Sequence, residues 1–314
     1  MKNKILTGLL LVLIGGWGSL SAQSAGSNYA RQVNTLIGTK GVGLTSGYLY
    51  PGATYPYGMV QFTPSYFSKR SGFVINQLSG GGCEHMGNFP TFPVKGKLKM
   101  SPDNILNYRI NISEEKGHAG YYEAKVQEDI HAKLTVTERT GMASYEYPAD
   151  QQYGTVIIGG GISATPIEQA AIVITAPNKC EGYAEGGNFC GLRTPYKVYF
   201  VAEFDTDALE SGTWKRDELK PNTTFAEGEY SGVYFTFDVN KKKNIQYKIG
   251  VSYVSVENAR ENLKAENTGW DFLQIQNQAE SKWNHYLGKI EVEGTNPDRT
   301  TQFYTHLYRS FIHP

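Results

Sequence analysis

Strict alternation of apolar and polar side chains, repeated in four separate stretches, is what most restricts the fold of this chain. Ile130, Ala132, Leu134 and Val136 alternate with polar neighbours. Tyr196, Val198, Phe200, Ala202 and Phe204 keep the same spacing, as do Val233, Phe235, Phe237 and Val239, and Ile245, Tyr247, Ile249, Val251 and Tyr253. Successive side chains of a strand point to opposite faces, so a period of two marks a strand with one face on a core. Gly, Asp, Asn and Pro clusters separate the stretches, and Lys241, Lys242 and Lys243 between the last two read as a solvated hairpin turn. Many antiparallel strands without intervening helices imply a mainly β fold, a two-sheet sandwich. A chain of 314 residues can bury a sizeable core between two such sheets. The 22 tyrosines suit a pleated, half-buried surface; their faces are also platforms on which sugar rings stack.

Near Val256 the period changes. Asn258 to Asn267 is rich in helix formers, and Phe272, Ile275, Ala279, Trp283 and Leu287 fall on one helical face. Asp298 is expected to cap a last helix carrying Phe303, Leu307 and Phe311 on one side. Tyr304 and Tyr308 make that helix apolar around much of its surface, and it wants a partner that the remaining sequence does not supply. The expectation is a polypeptide cut soon after a second, helical domain begins; the competing expectation is a helix that folds back on the sandwich.

The N-terminus reads as a secretory signal over residues 1–22. Lys2 and Lys4 precede an apolar, Gly-interrupted run from Ile5 to Leu20, and Ser21-Ala22 offers small residues for cleavage. That run is too short and too Gly-rich for a good spanning helix, and no other membrane span is evident. The expected location is therefore periplasmic or extracellular. Thirty acidic residues balance thirty basic ones, which excludes the basic face of a nucleic-acid binder. An exported chain can form disulfides, and three cysteines make one pair and a remainder. Either Cys180 and Cys190 close a short ring and leave Cys83 free, or none is bridged and Cys83 and Cys190 both lie in pocket-lining loops.

Two glycine-rich stretches are the candidate functional elements. The first, Leu78 to Pro93, packs Gly80, Gly81, Gly82, Cys83, Glu84 and His85 together and continues through Gly87, Pro90 and Pro93. No helix or strand interior suits that composition, so a long loop is expected, where ligand-contacting groups tend to sit. The second runs from Gly186 through Asn188, Phe189 and Cys190 to Gly191, followed by Arg193. A further loop-rich segment, Asn34 to Phe62, looks like a strand only from Met59 to Phe62. The six histidines are scattered without metal-ligand spacing, and neither a nucleophile elbow nor a P-loop is present. Glu114-Glu115 and Glu227/Glu229 read as solvated turns rather than a catalytic carboxylate pair.

Several blocks together resemble family-92 glycoside hydrolases, in the order expected for that family. They are PGATYPYGMVQFTP (51–64), LSGGGCEHMGNFPTFP (78–93), EGGNFCG (185–191) with YKVYFVAEF (196–204), VSYVSVENARENL (251–263), GWDF (269–272), Trp283 with its helix, and FYTHLYRSFIHP (303–314). The resemblance implies an exo-acting α-mannosidase, calcium-dependent and inverting, that acts on mannose-containing glycans. It implies an N-terminal sandwich of the galactose-mutarotase-like supersandwich kind over 28–256, a helical linker over 257–290, and from 291 the first helix of an (α/α)₆ catalytic barrel. In the family that barrel supplies the acid, the base and the calcium ligands, so no catalytic or metal residue is assigned here, and the chain alone is expected to be inactive. The loops that close one side of the sugar pocket match Gly81, Gly82, Cys83, Glu84, His85, Asn188, Cys190 and Arg193, the candidate sugar-contacting residues. One departure is local: Lys69-Arg70 stand where many members carry a Trp, which bears on the leaving-group subsite. The alternative reading is a stand-alone carbohydrate-binding sandwich.

Overall fold

All four alternating stretches fold as strands, and their apolar faces meet between two sheets. The computed structural model describes residues 28–39, 47–65, 72–103 and 111–312; the expected signal segment, Gly41, Gly43 and Lys69-Arg70 lie outside them. In chain order the strands are β1 (Ala53–Thr54), β2 (Gln61–Pro64), β3 (Phe73–Val74), β4 (Thr91–Lys95), β5 (Ile112–His118), β6 (Tyr121–Val126), β7 (Ile130–Val136), β8 (Thr140–Glu146), β9 (Tyr153–Ile158), β10 (Ile167–Ala176), β11 (Lys179–Phe189), β12 (Leu192–Phe204), β13 (Glu210–Lys215), β14 (Glu218–Pro221), β15 (Phe225–Glu227), β16 (Ser231–Asp238) and β17 (Asn244–Ser252). One sheet has the order β1-β2-β3-β4-β9-β16-β13-β14 and the other β15-β10-β11-β12-β17-β8-β7-β6-β5. The pairings are antiparallel, so this is the expected two-sheet sandwich.

The core follows from the alternation. Val198, Phe200, Ala202 and Phe204 of β12 are fully buried on its inner face. The Phe204 ring lies 5.0 Å from those of Phe235 and Phe237 on the opposite sheet and 5.2 Å from Tyr247 beside it. Fully burying each such side chain stabilises the fold by about 1.5–3 kcal/mol. The lysine run lies in the connection between β16 and β17, as its charge demands.

The helices with described bounds are α1 (Tyr29–Gln32), α2 (Val256–Glu266), α3 (Phe272–Leu287) and α4 (Pro297–Ser310). Ser255 caps α2 by accepting the Asn258 N–H, and Asp271 caps α3 by accepting that of Gln274. On α2, Ala259 and Leu263 pack on Val201 at the outer face of the larger sheet. Helix α3 buries Ile275, Ala279, Trp283 and Leu287, the face read from spacing; Phe272 stays partly exposed.

Several expectations are corrected. Asn296, not Asp298, caps α4: its side chain accepts from the Asp298 and Arg299 N–H groups, and Pro297 sits where its missing N–H costs nothing. The buried face of α4 carries Tyr304 and Tyr308, with Ile312 buried just beyond its end, while Phe303, Leu307 and Phe311 are only partly buried. That face finds partners in the chain itself, among Ala30, Val33, Tyr50, Trp283 and Leu287, because α1 and the segment before β1 fold back beneath α3 and α4. Glu114 and Glu115 belong to β5, where the register shifts between Ser113 and Lys116 and Glu114 has φ 51°: a bulge, not a turn. Glu227 likewise ends β15, and the strand expected at Met59–Phe62 begins at Gln61.

Candidate functional site

Glycines and amides shape the loop between β3 and β4. Its two ends are tied by a buried amide pair: Asn88 N–H donates to Asn76 Oδ1 at 2.8 Å, and Asn76 Nδ2 donates to Asn88 Oδ1 at 3.0 Å. Tyr196 of β12 donates its hydroxyl to the same Asn88 oxygen at 2.8 Å, and Asn76 reaches the Tyr253 hydroxyl at 3.4 Å. Asn88 Nδ2 is buried and makes no hydrogen bond among the described residues. A buried donor left so costs about 1–3 kcal/mol. Sequence reasoning singled out neither amide as a site residue, since an asparagine declares itself only once burial and partners are known.

At the tip, His85 is 2% exposed. The Leu78 N–H donates to Nε2 at 2.7 Å, and Nδ1 stands 2.6 Å from the Cys83 carbonyl oxygen. A backbone N–H can only donate, so Nε2 accepts, the proton sits on Nδ1, and the ring is neutral. Burial pulls the His85 pKa below its ordinary value; the Cys83 carbonyl at Nδ1 opposes this only in part, and the Leu78 N–H on Nε2 favours the neutral ring. Gly81 is dictated by this ring: a Cβ there would stand 2.8 Å from His85 Cε1. The imidazole thus holds the loop together from within, while Gly80, Gly82 and Glu84 are exposed.

Because its folded pKa is depressed, His85 adds no pH dependence above the unfolded value near 6.5. Below it the unfolded chain binds a proton that the folded chain refuses, so stability falls as pH falls towards the folded value. His118, partly buried beside Glu280, is lowered by desolvation and has the same sign. Urea midpoints between pH 7.5 and 5.5 are expected to decline, and to decline less in His85→Gln. An unchanged decline in that variant contradicts the assignment to His85.

The second stretch is not a loop but the end of a hairpin. Strand β11 runs through Gly186, Asn188 and Phe189, and Phe189 pairs with Leu192 of β12. Only Cys190 and Gly191 turn the chain, at φ 52° and 81°. Two positive values in a two-residue loop make a type I′ turn, whose twist matches the strands. The Asn188 side chain accepts the Gly191 N–H at 3.0 Å. Arg193 is exposed and holds Glu168 through Nε at 3.1 Å and Nη2 at 2.9 Å.

A disulfide joins the two stretches: Cys83 and Cys190 are bonded across 107 positions, with Cα atoms 5.4 Å apart. Both cysteine expectations are corrected. Cys180 is buried on the inner face of β11, opposite Ala202. Ten residues of extended strand, roughly 33 Å, separate it from Cys190. The Phe189 ring packs edge-on against His85 at 5.7 Å. Gly81, Gly82, Cys83 and Glu84 thereby share one rim with Asn188, Cys190 and the hairpin that carries Arg193, and His85 stands behind them.

The rim adjoins the helical end. Gly80 N–H donates to the Tyr48 carbonyl at 2.8 Å, and Arg309 of α4 donates to the Tyr50 carbonyl at 3.1 Å. Two residues of chain span at most about 7 Å, so loop base and α4 are neighbours. The rim offers backbone groups, a carboxylate, an amide and a guanidinium, a set suited to a polyhydroxylated ligand. Among the described residues no group of three or more His, Cys, Asp or Glu is placed to hold a metal ion.

Comparison with known proteins identifies the family. Residues 32–252 match the glycosyl hydrolase family 92 N-terminal domain, and residues 258–314 match the family's catalytic domain. An uncharacterized secreted glycosidase of Arthroderma benhamiae is 26% identical over 90% of this chain and 41% of its own length. A family-92 α-mannosidase from Bacteroides thetaiotaomicron, also solved with mannoimidazole, superposes with TM-score 0.78 at 24% identity over 91% of this chain and 42% of its own. An inverting mannosidase of the same family and organism gives 0.76 at 24%, over 91% and 40%. The chain therefore spans about two fifths of the length of the relatives it matches.

Proposed function

The chain belongs to glycosyl hydrolase family 92, and from that premise we propose that it forms the sandwich-bearing part of an exported, inverting, calcium-dependent exo-α-mannosidase that removes α-linked mannose from glycans. The observation that carries this reading is the succession of two family-92 domains along one chain, 32–252 and 258–314. The Arthroderma relative, described as secreted, supports export, and among the described residues no helix is long and apolar enough to cross a membrane.

In this reading the chain supplies one wall of the sugar pocket. Gly81, Gly82, Cys83 and Glu84 face the sugar from one loop, and Asn188, Cys190 and Arg193 from the hairpin. His85 keeps the first loop in shape. The general acid and base are assigned to the part of such proteins that this chain does not match. The acid protonates the glycosidic oxygen as its bond to C1 breaks; the base takes a proton from water as its oxygen bonds to C1 from the opposite face. Bound calcium would ligate sugar hydroxyls and favour ring distortion. Its ligands are assigned, like the acid and the base, to that same part.

The test follows mannose release from an α-linked mannobiose by proton NMR, with the protein that unites this chain and the remainder of the family length. β-Mannose should appear first, EGTA should abolish turnover and calcium restore it, and the 314-residue chain alone should release none. First appearance of α-mannose, or EGTA-insensitive turnover by this chain alone, contradicts the proposal.

A further inference from the structure

The loop between β3 and β4 belongs to the smaller sheet and the β11–β12 hairpin to the larger. The two halves of the rim are therefore carried by different layers, and a ligand meets both only if they keep one register. At the tip the Cys83–Cys190 bond joins them. A second link lies at the base, five residues on along the loop and six along the hairpin, and it is made by one hydroxyl.

Strand periodicity supplies that hydroxyl. Tyr196 stands two residues before Val198 and four before Phe200, so it shares their inner face of β12. Its ring packs against the core, and its hydroxyl donates to Asn88 Oδ1 at 2.8 Å. Burial pushes the phenol up to about 12, so the hydroxyl keeps its proton at neutral pH and remains a donor. The same Asn88 oxygen accepts from Asn76 Nδ2 at 3.0 Å. One amide oxygen, on a residue that is fully buried, thus joins the hairpin to both ends of the loop.

The backbone on either side of Asn88 is in a conformation that needs support. Met86 has φ 43° and Phe89 φ 53°, the left-handed region that residues other than glycine rarely adopt. Such residues persist where the surroundings over-determine them, and they cluster at ligand-binding positions. Here the Ala164 N–H donates to the Met86 carbonyl at 2.7 Å, the Gly87 N–H donates to the Asn76 carbonyl at 2.8 Å, and the Phe89 ring lies 4.2 Å from that of Phe200. The segment is built to hold one shape, and its side-chain link runs to the strand that carries the other half of the rim.

We propose that Tyr196 and Asn88 are positioning residues of the sugar-binding wall: their hydrogen bond, with the disulfide at the tip, locks loop and hairpin into one register, so that groups from both meet a single sugar. That the sugar is a mannoside rests on the proposed function; the locking of loop to hairpin does not.

Two measurements test it. In the protein that unites this chain with the remainder of the family length, Tyr196→Phe and Asn88→Leu should each raise KM for an α-linked mannobiose about tenfold, the effect of one lost hydrogen bond. The kcat should stay within about twofold, the mark of lost binding common to ground and transition states. Asn88→Asp keeps an acceptor for both donors and loses only Nδ2, which has no partner among the described residues, so most of the affinity should return. In the 314-residue chain, hydrogen exchange should quicken at residues 78–89 in Tyr196→Phe while β7 and β8 exchange as in the wild type. Wild-type KM in both Tyr196→Phe and Asn88→Leu makes the bond dispensable for the sugar and overturns the proposal. So does exchange that quickens throughout the sandwich, which makes the bond general scaffolding. If the whole protein hydrolyses no mannoside while exchange at 78–89 still depends on Tyr196, the enzymatic reading falls and the locked rim stands.

Discussion

Trp283→Ala is expected to destabilise the chain by about 4 kcal/mol, within the range for large aromatic truncations in a core. Trp283 is fully buried. Its ring lies 4.5 Å from that of Tyr308, and its indole N–H donates to the Thr54 carbonyl at 2.7 Å. One side chain thus joins α3, α4 and the first strand of the smaller sheet. Its removal leaves a cavity and a buried carbonyl without its donor, two costs that add. Trp283→Phe, which restores most of the volume but not the N–H, should recover more than half of the loss. Urea unfolding measures both. A loss under about 1 kcal/mol would mean that the helices sit on the sandwich without depending on it.

Opening the Cys83–Cys190 bond is the next largest effect. A link across 107 residues restricts the unfolded chain strongly, and its loss is expected to cost about 3–4 kcal/mol. Cys83→Ser and Cys190→Ser should each lower the melting temperature by several degrees, and the double variant by no more than either alone. Thiol counting gives an independent check. The denatured, unreduced chain should show one reactive thiol, Cys180, and three after reduction, since the chain has three cysteines. Three thiols before reduction would contradict the bond.

Most of the scaffold was legible because its signals are local. A two-residue period locates β7, β12, β16 and β17 whatever they pair with, and the 3.6-residue stripe from Ile275 to Leu287 locates α3 for the same reason. What failed was non-local. Cys180 and Cys190 looked like ring partners until β11 proved extended between them, and the stretch at Gly186 to Gly191 looked like a loop because glycines hide a strand that pairs by backbone alone. The apolar surface of α4 was read without its partners, since α1 and Tyr50 lie some 250 residues away in sequence. Of the candidate site, the two stretches were found and their joining was not. Asn76 and Asn88 gave no sign, because a buried amide pair has no spacing rule.

The central claim is that the disulfide-joined rim is a wall of the mannoside pocket. Hydrogen exchange in the whole enzyme, with and without saturating mannoimidazole, tests it most directly. The account predicts slower exchange over residues 78–89 and 187–193. Unchanged exchange in both segments, under conditions where mannoimidazole inhibits turnover, would contradict it.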